Sequence, residues 1–107
     1  MSRRDALWLV VQEPETSRVV AMRGDRLTVG RDLRCDVVID DAKVSRLHAE
    51  ITRDPHGRYR FADLSSHNGT VVDGRQLVGA LLLEGGETVH LGRTRLEIRL
   101  VRPTEDT

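Results

Sequence analysis

Arg31, Ser45 and Asn68 carry three different functional groups. Each stands in a short island between strand-like runs: Thr28-Val29-Gly30-Arg31, Ser45-Arg46-Leu47-His48 and Ser66-His67-Asn68-Gly69-Thr70. A guanidinium offers a fixed fork of donors and keeps its charge at any relevant pH. A hydroxyl and a carboxamide add uncharged donors and acceptors. Three loops carrying a cation, a hydroxyl and an amide make a site for an anion and a peptide if they meet at one end of a scaffold. Binding residues commonly sit on loops held this way. The chemistry is that of gripping rather than bond-breaking.

Catalytic readings of the same residues are weaker. Ser45 and His48 are close enough in sequence to act as nucleophile and base, which requires hydrogen-bond reach. No glycine-flanked elbow surrounds Ser45 and no third member is placed, so His48 reads as a structural histidine tied to nearby backbone. His48, His56, His67, His90 and Cys35 are scattered, without the spacings of zinc sites; neither a metal nor a cofactor is expected. Asp63 and the pair Asp40-Asp41 could suggest carboxylate chemistry, but a solvated loop and a turn cap explain them more cheaply. Asn68-Gly69-Thr70 matches a glycosylation acceptor, which has meaning only in a secreted chain. Trp8 is expected in the core or near a sheet edge.

The elements that must carry these loops are strands. Apolar and other residues alternate along Leu7, Leu9 and Val11, and again along Leu96, Ile98 and Leu100. That period places one strand face in a core and the other in water. Val37-Val38-Ile39 and Leu81-Leu82-Leu83 are continuous apolar runs, read as strands covered on both faces. Asp73-Gly74 lies between Val71-Val72 and Arg75-Gln76-Leu77, a two-residue hairpin signal whose central residues both need positive φ. The pattern predicts about eleven short strands, near 7–11, 18–21, 26–29, 37–39, 49–53, 58–63, 70–72, 75–77, 81–83, 87–91 and 94–101. Turn signals every eight to twelve residues or so point to an all-β, two-sheet antiparallel sandwich.

At 107 residues the chain is read as a single domain, with a core over 6–101, a short segment at 1–5 and a tail at 102–107. A chain of this size has surface enough to bury for one core and no second. Seventeen basic residues balance seventeen acidic ones, which removes the usual basis for bulk attraction to nucleic acid or membrane. Neither is expected as a partner. A single cysteine, Cys35, rules out an intrachain disulfide and fits a reducing compartment. Arg3-Arg4 precedes an apolar run too short for a signal peptide, with no small-residue cleavage site after it. Arginine outnumbers lysine sixteen to one, Lys43 being the lysine; a GC-rich genome explains this, so an arginine by itself carries little functional information. The expectation is a cytoplasmic, bacterial protein.

From about Leu27 to Leu100 the chain resembles the forkhead-associated (FHA) domain, a phosphothreonine-binding module with a sandwich of the SMAD/FHA type. The resemblance rests on Val29-Gly30-Arg31, Cys35-Asp36-Val37-Val38-Ile39-Asp40, Val44-Ser45-x-x-His48-Ala49-Glu50-Ile51, Asp63-Leu64-x-Ser66-x-Asn68-Gly69-Thr70, Asp73-Gly74 and Glu87-Thr88-Val89-His90-Leu91-Gly92 in register. It implies that Arg31 contacts the phosphate or the phosphothreonine backbone. Ser45 would bond a phosphate oxygen, and Arg46 would add a phosphate contact. Asn68 would hold the neighbouring peptide backbone. Gly30, His48 and Gly69 would be scaffold, with His48 bracing the loop that presents Ser45. Lys43 lies where some members read a side chain a few residues past the phosphothreonine.

Two features depart from the pattern. His67 stands where many members carry Thr or another small hydroxyl residue near the phosphate, and the hairpin turn is Asp-Gly rather than Asn-Gly. The resemblance implies a non-catalytic module in kinase signalling. Its partner would be a phosphothreonine protein or peptide, a Ser/Thr kinase or a kinase substrate. His67 leaves open a phosphate-independent module of the same fold, and Ser45–His48 hydrolysis is the least favoured alternative. Thr16 and Thr104, read as lying in tails with acidic neighbours, are conceivable kinase targets through which a tail could occupy the pocket.

Overall fold

The computed structural model describes residues 5–102. Among them are β1 (Ala6–Gln12), β2 (Ser17–Ala21), β3 (Arg26–Gly30), β4 (Val37–Val38), β5 (Ala49–Arg53) and β6 (Tyr59–Asp63). There follow β7 (Val71–Val72), β8 (Arg75–Gln76), β9 (Ala80–Leu83), β10 (Thr88–Leu91) and β11 (Thr94–Val101). One sheet runs β2-β1-β11-β10-β7-β8 and the other β4-β3-β5-β6-β9. Leu7, Leu9, Val11, Val89, Leu96 and Ile98 of the first sheet face Val29, Ile51 and Phe61 of the second, all essentially inaccessible. Each such side chain contributes roughly 1.5–3 kcal/mol on burial, and the alternation along β1 and β11 is what sends them to one side.

Three expectations are corrected. The sandwich is not wholly antiparallel, because β3 and β4 pair in parallel, Val29 beside Val37 and Gly30 beside Val38. Residues 31–36 reverse the chain twice to allow it. Cys35 N–H bonds Asp32 C=O, and Asp36 Oδ2 accepts the backbone N–H and hydroxyl of Thr28 at 2.8 and 3.1 Å. Both continuous apolar runs reach strands at the ends of one sheet, β4 and β9, and the Leu81–Leu83 run is not covered on both faces, since Leu82 is 44% exposed. Thr16 lies in no tail: it is in the β1–β2 turn, where its C=O accepts Glu13 N–H and its hydroxyl bonds Glu13 Oε2. Thr104 falls outside the described residues.

Trp8 is on the outer face of β1, between Ala21 and Arg99 and one strand from the sheet edge, so it is not a core residue. The Asp73-Gly74 turn has the expected form, with φ of 47° and 84°, and it joins β7 directly to β8.

Candidate functional site

The β3–β4 loop (31–36), the β4–β5 loop (39–48) and the β6–β7 loop (64–70) meet at one end of the sandwich. Gly30 makes the first approach possible. A Cβ at this position would stand 2.1 Å from the Arg46 carbonyl oxygen, so any side chain would drive the two loops apart. Past Gly30 the loops zip together, with Arg31 N–H donating to Ser45 C=O and Asp32 N–H to Arg46 C=O, each at 3.0 Å. The Cys35 thiol donates to the same Arg46 carbonyl, and burial pushes its pKa up.

The three expected groups are all tied to the β4–β5 loop. Arg31 Nε donates to Val44 C=O at 2.9 Å, leaving both terminal guanidinium nitrogens without a partner among the described residues. Ser45 Oγ accepts the His67 N–H at 2.9 Å, so its own hydroxyl proton remains available. Asn68 Nδ2 donates to Lys43 C=O at 2.8 Å, leaving its carboxamide oxygen exposed. One hydrogen bond each therefore aims a cation, a donor and an acceptor from a common rim.

His48 lies beneath this rim, fully buried. Its Nδ1 accepts the Ser45 backbone N–H at 3.0 Å, so the ring proton is on Nε2. From there it is donated to Gly69 C=O at 3.0 Å, with Thr70 Oγ1 at 3.2 Å. The imidazole thus staples the Ser45 loop to the Asn68 loop, and both ring nitrogens are engaged by other partners, Nδ1 by a backbone N–H and Nε2 by Gly69 C=O, rather than by the Ser45 hydroxyl. Gly69 adopts φ of +83°, the left-handed region that glycine enters without steric cost.

Two carboxylates that the sequence explained by a solvated loop and a turn cap also anchor groups beyond their own turns. Asp63, half-buried at the end of β6, accepts Ser66 N–H at 2.8 Å, Ser66 Oγ at 2.6 Å and Thr70 Oγ1 at 2.6 Å. Burial raises its pKa, but the hydrogen bonds from Ser66 and Thr70 outweigh that and hold it below the ordinary aspartate value. Asp63 and Ser66, three apart at a loop entry, carried an Asx-type turn signal that could have marked the role. Asp41 is buried rather than solvated. It accepts Lys43 N–H at 2.9 Å, Arg93 N–H at 2.7 Å and the Thr94 hydroxyl at 3.1 Å, and these bonds likewise outweigh the upward push of burial on its carboxyl.

Most arginines of the described residues are paired with carboxylates, and the cations of this rim are not. Arg18, Arg26, Arg34, Arg53, Arg58, Arg60, Arg95, Arg99 and Arg102 each have a carboxylate partner. Arg31, Lys43 and Arg46 have none among the described residues, and neither do Arg23, Arg75 and Arg93 on other segments. The nearby Asp32 is taken by Arg34, whose hydrogen bonds lower the Asp32 carboxyl to about 2. His67 is exposed on the same rim. No group of three or more His, Cys, Asp or Glu arranged to hold a metal occurs among the described residues.

Comparison with known proteins agrees with this arrangement. The chain is 33% identical over 100 residues to the oxoglutarate dehydrogenase inhibitor of Corynebacterium glutamicum, covering 94% of this chain and 68% of that one. It is 34% identical over 101 residues to the glycogen accumulation regulator GarA of Mycolicibacterium smegmatis, covering 94% and 62%. It therefore spans about two thirds of these relatives' length. A solved domain from a study of phosphothreonine-dependent FHA domain interactions superposes with a TM-score of 0.79 at 26% identity, covering 95% of this chain and 99% of that one. The family model for the FHA domain matches residues 27–92, and the chain belongs to that family.

Proposed function

We propose that this chain is a phosphothreonine-dependent peptide-binding module of bacterial Ser/Thr kinase signalling, without catalysis of its own. The observation that carries the reading is the anchoring of Arg31, Ser45 and Asn68 to a single loop, with their remaining donors and acceptors turned outward at a rim of unpaired cations. A phosphothreonine brings about −1.5 to −2 charges and three strong acceptors. Arg31 and Arg46 answer the charge, the Ser45 hydroxyl donates to a phosphate oxygen, and Asn68 holds the adjoining backbone. Lys43 and His67 stand on the same rim and tune what flanks the phosphate. Gly30, His48 and Gly69 act through the loops they hold.

The engagement of both His48 ring nitrogens by groups other than the Ser45 hydroxyl supports a non-catalytic role for Ser45. Relatives from Corynebacterium and Mycolicibacterium named as an inhibitor and a regulator support a cytoplasmic bacterial protein that acts by binding. The partner is a phosphothreonine-bearing protein, a kinase or one of its substrates, and the folded unit has its core over 6–101.

A phosphopeptide array read before and after phosphatase treatment tests the proposal. Spots that vanish on dephosphorylation are expected. Equal binding to treated and untreated peptides would instead mark a phosphate-independent module.

A further inference from the structure

The two flanks of the sandwich are finished differently. On one flank β2 and β4 end the two sheets, and the Arg18 guanidinium of β2 donates to Val38 C=O of β4. On the other flank β8 and β9 end them, and no side-chain hydrogen bond joins these two strands among the described residues. β8 has two residues and starts with Arg75. β9 has four, Ala80-Leu81-Leu82-Leu83, and carries no charge. Folded proteins usually shield such an edge, since its free backbone groups template the addition of another strand.

In an antiparallel pair, alternate residues turn both N–H and C=O toward the neighbouring strand. Asp63 N–H donates to Gly79 C=O at 3.4 Å, and the pairing of β6 with β9 continues from there with Phe61 opposite Leu81 and Tyr59 opposite Leu83. Leu81 and Leu83 therefore serve β6. Ala80 and Leu82 turn their N–H and C=O outward, where no strand receives them among the described residues. Their side chains are exposed too, and Val78, 88% exposed, extends the same apolar row.

This edge is complementary to itself. Run antiparallel to a second copy, Ala80 stands opposite the copy's Leu82 and Leu82 opposite its Ala80. Each small side chain then meets a large one, and the outward N–H and C=O groups of both residues find partners. The same register sets the copy's Glu84 opposite Val78. Glu84 is exposed and has no cationic partner among the described residues. Val78 shares the wall of a cavity of about 470 Å³ with Arg75, which has no carboxylate partner of its own. Asp73 in the same wall is engaged by the Thr88 N–H. An edge with an unpaired cation at one end and an unpaired carboxylate at the other attracts its own reversed copy, and twofold symmetry repeats the contact.

We propose that β9 is a self-association edge, through which two copies of this chain pair antiparallel and share one continuous sheet, with Glu84 of each copy facing Arg75 of the other. β9 starts at the rim end of the sandwich, where Gly79 meets Asp63, so the dimer carries its two rims at opposite ends.

Sedimentation of the whole chain over a concentration series tests this. A monomer–dimer equilibrium is expected, with a dissociation constant on the order of 10–100 μM, because the contact is small for a stable dimer. L82P removes an outward N–H and leaves the β6 ladder intact, as proline on a free edge does; it is expected to weaken the dimer about tenfold or more, through one lost hydrogen bond in each copy. R75E and E84R are each expected to weaken it about tenfold, and an equimolar mixture of the two to recover it, since opposite charges then face each other at both ends. That recovery requires the partner to be this chain in this register, and the charge reversals decide the matter should L82P fail to fold. A chain that stays monomeric at millimolar concentration, a dimer indifferent to L82P and to both reversals, or reversed variants that do not recover on mixing would each overturn the proposal. The first of these outcomes would leave the edge to an extended segment of another protein.

Discussion

Replacing Arg31 by alanine separates recognition from folding more cleanly than any other change at the rim. The Arg31 side chain makes one internal bond, from Nε to Val44 C=O at 2.9 Å. A neutral-acceptor hydrogen bond of this kind is worth about 0.5–1.5 kcal/mol net. Water can replace it at the exposed rim, so the melting temperature should fall by no more than about 4–8 °C, the shift expected for roughly 1 kcal/mol in a domain of this size. The terminal nitrogens, which have no internal partner, carry the ligand contacts. Two charge-assisted bonds at the low end of about 1.5 kcal/mol each sum to about 3 kcal/mol, or roughly a hundredfold in affinity.

R31K refines the test. It keeps the charge but loses both the Nε anchor and the planar fork, so it should recover only part of the loss. The assay is calorimetric or anisotropy titration with a phosphothreonine peptide and its unphosphorylated twin, alongside a thermal melt of each variant. A folded R31A protein binding the phosphopeptide within about twofold of wild type would refute the reasoning, since two charge-assisted bonds cannot be that small. Full rescue by lysine would refute the role given to the Val44 anchor.

Other outcomes follow from the same geometry. G30A should destabilise the protein by about 1–3 kcal/mol in chemical denaturation, because the new methyl would meet a backbone carbonyl at 2.1 Å rather than a side chain that can move. D63A should cost about 1–3 kcal/mol by leaving the buried Thr70 hydroxyl and Ser66 without their acceptor; faster hydrogen exchange at Gly69 N–H would report the loosened loop. Asp41 and Asp63 both have carboxyls lowered in the folded state, so the stability they supply is present above the unfolded aspartate value of about 3.9 and is lost as pH falls through the folded value. The melting temperature should therefore drop below about pH 4, with the double variant D41N/D63N showing a shallower drop there; an unchanged slope in that variant would count against these two groups as its source.

Local pattern was enough to place the strands, because alternation at Leu7–Val11 and Leu96–Leu100 reflects a face choice that each strand makes on its own. Asp73-Gly74 was equally legible, since the turn's φ requirement is written in two adjacent residues. Order within a sheet is not local. Leu81-Leu82-Leu83 looks the same from the sequence whether it lies mid-sheet or at the edge, and only the pairing with β6 on one side decides it. The parallel β3–β4 pair was hidden for the same reason. Arg31, Ser45 and Asn68 were recognisable as types, whereas Asp41 and Asp63 were not: an aspartate's burial depends on donors brought to it from distant segments, as Arg93 and Thr94 are brought to Asp41.

The buried His48 has a consequence for how such a surface can change over time. Its ring and its own backbone tie together the ends of β3, the Ser45 loop and the Asn68 loop, so these segments share one rigid foundation and little ordering entropy is left to be lost when a ligand arrives. Lys43, Arg46 and His67 are exposed, and their side chains make no hydrogen bond to that foundation. Their side chains can be exchanged without disturbing what supports them, which lets lineages retarget the module by single surface replacements while the imidazole beneath stays untouched.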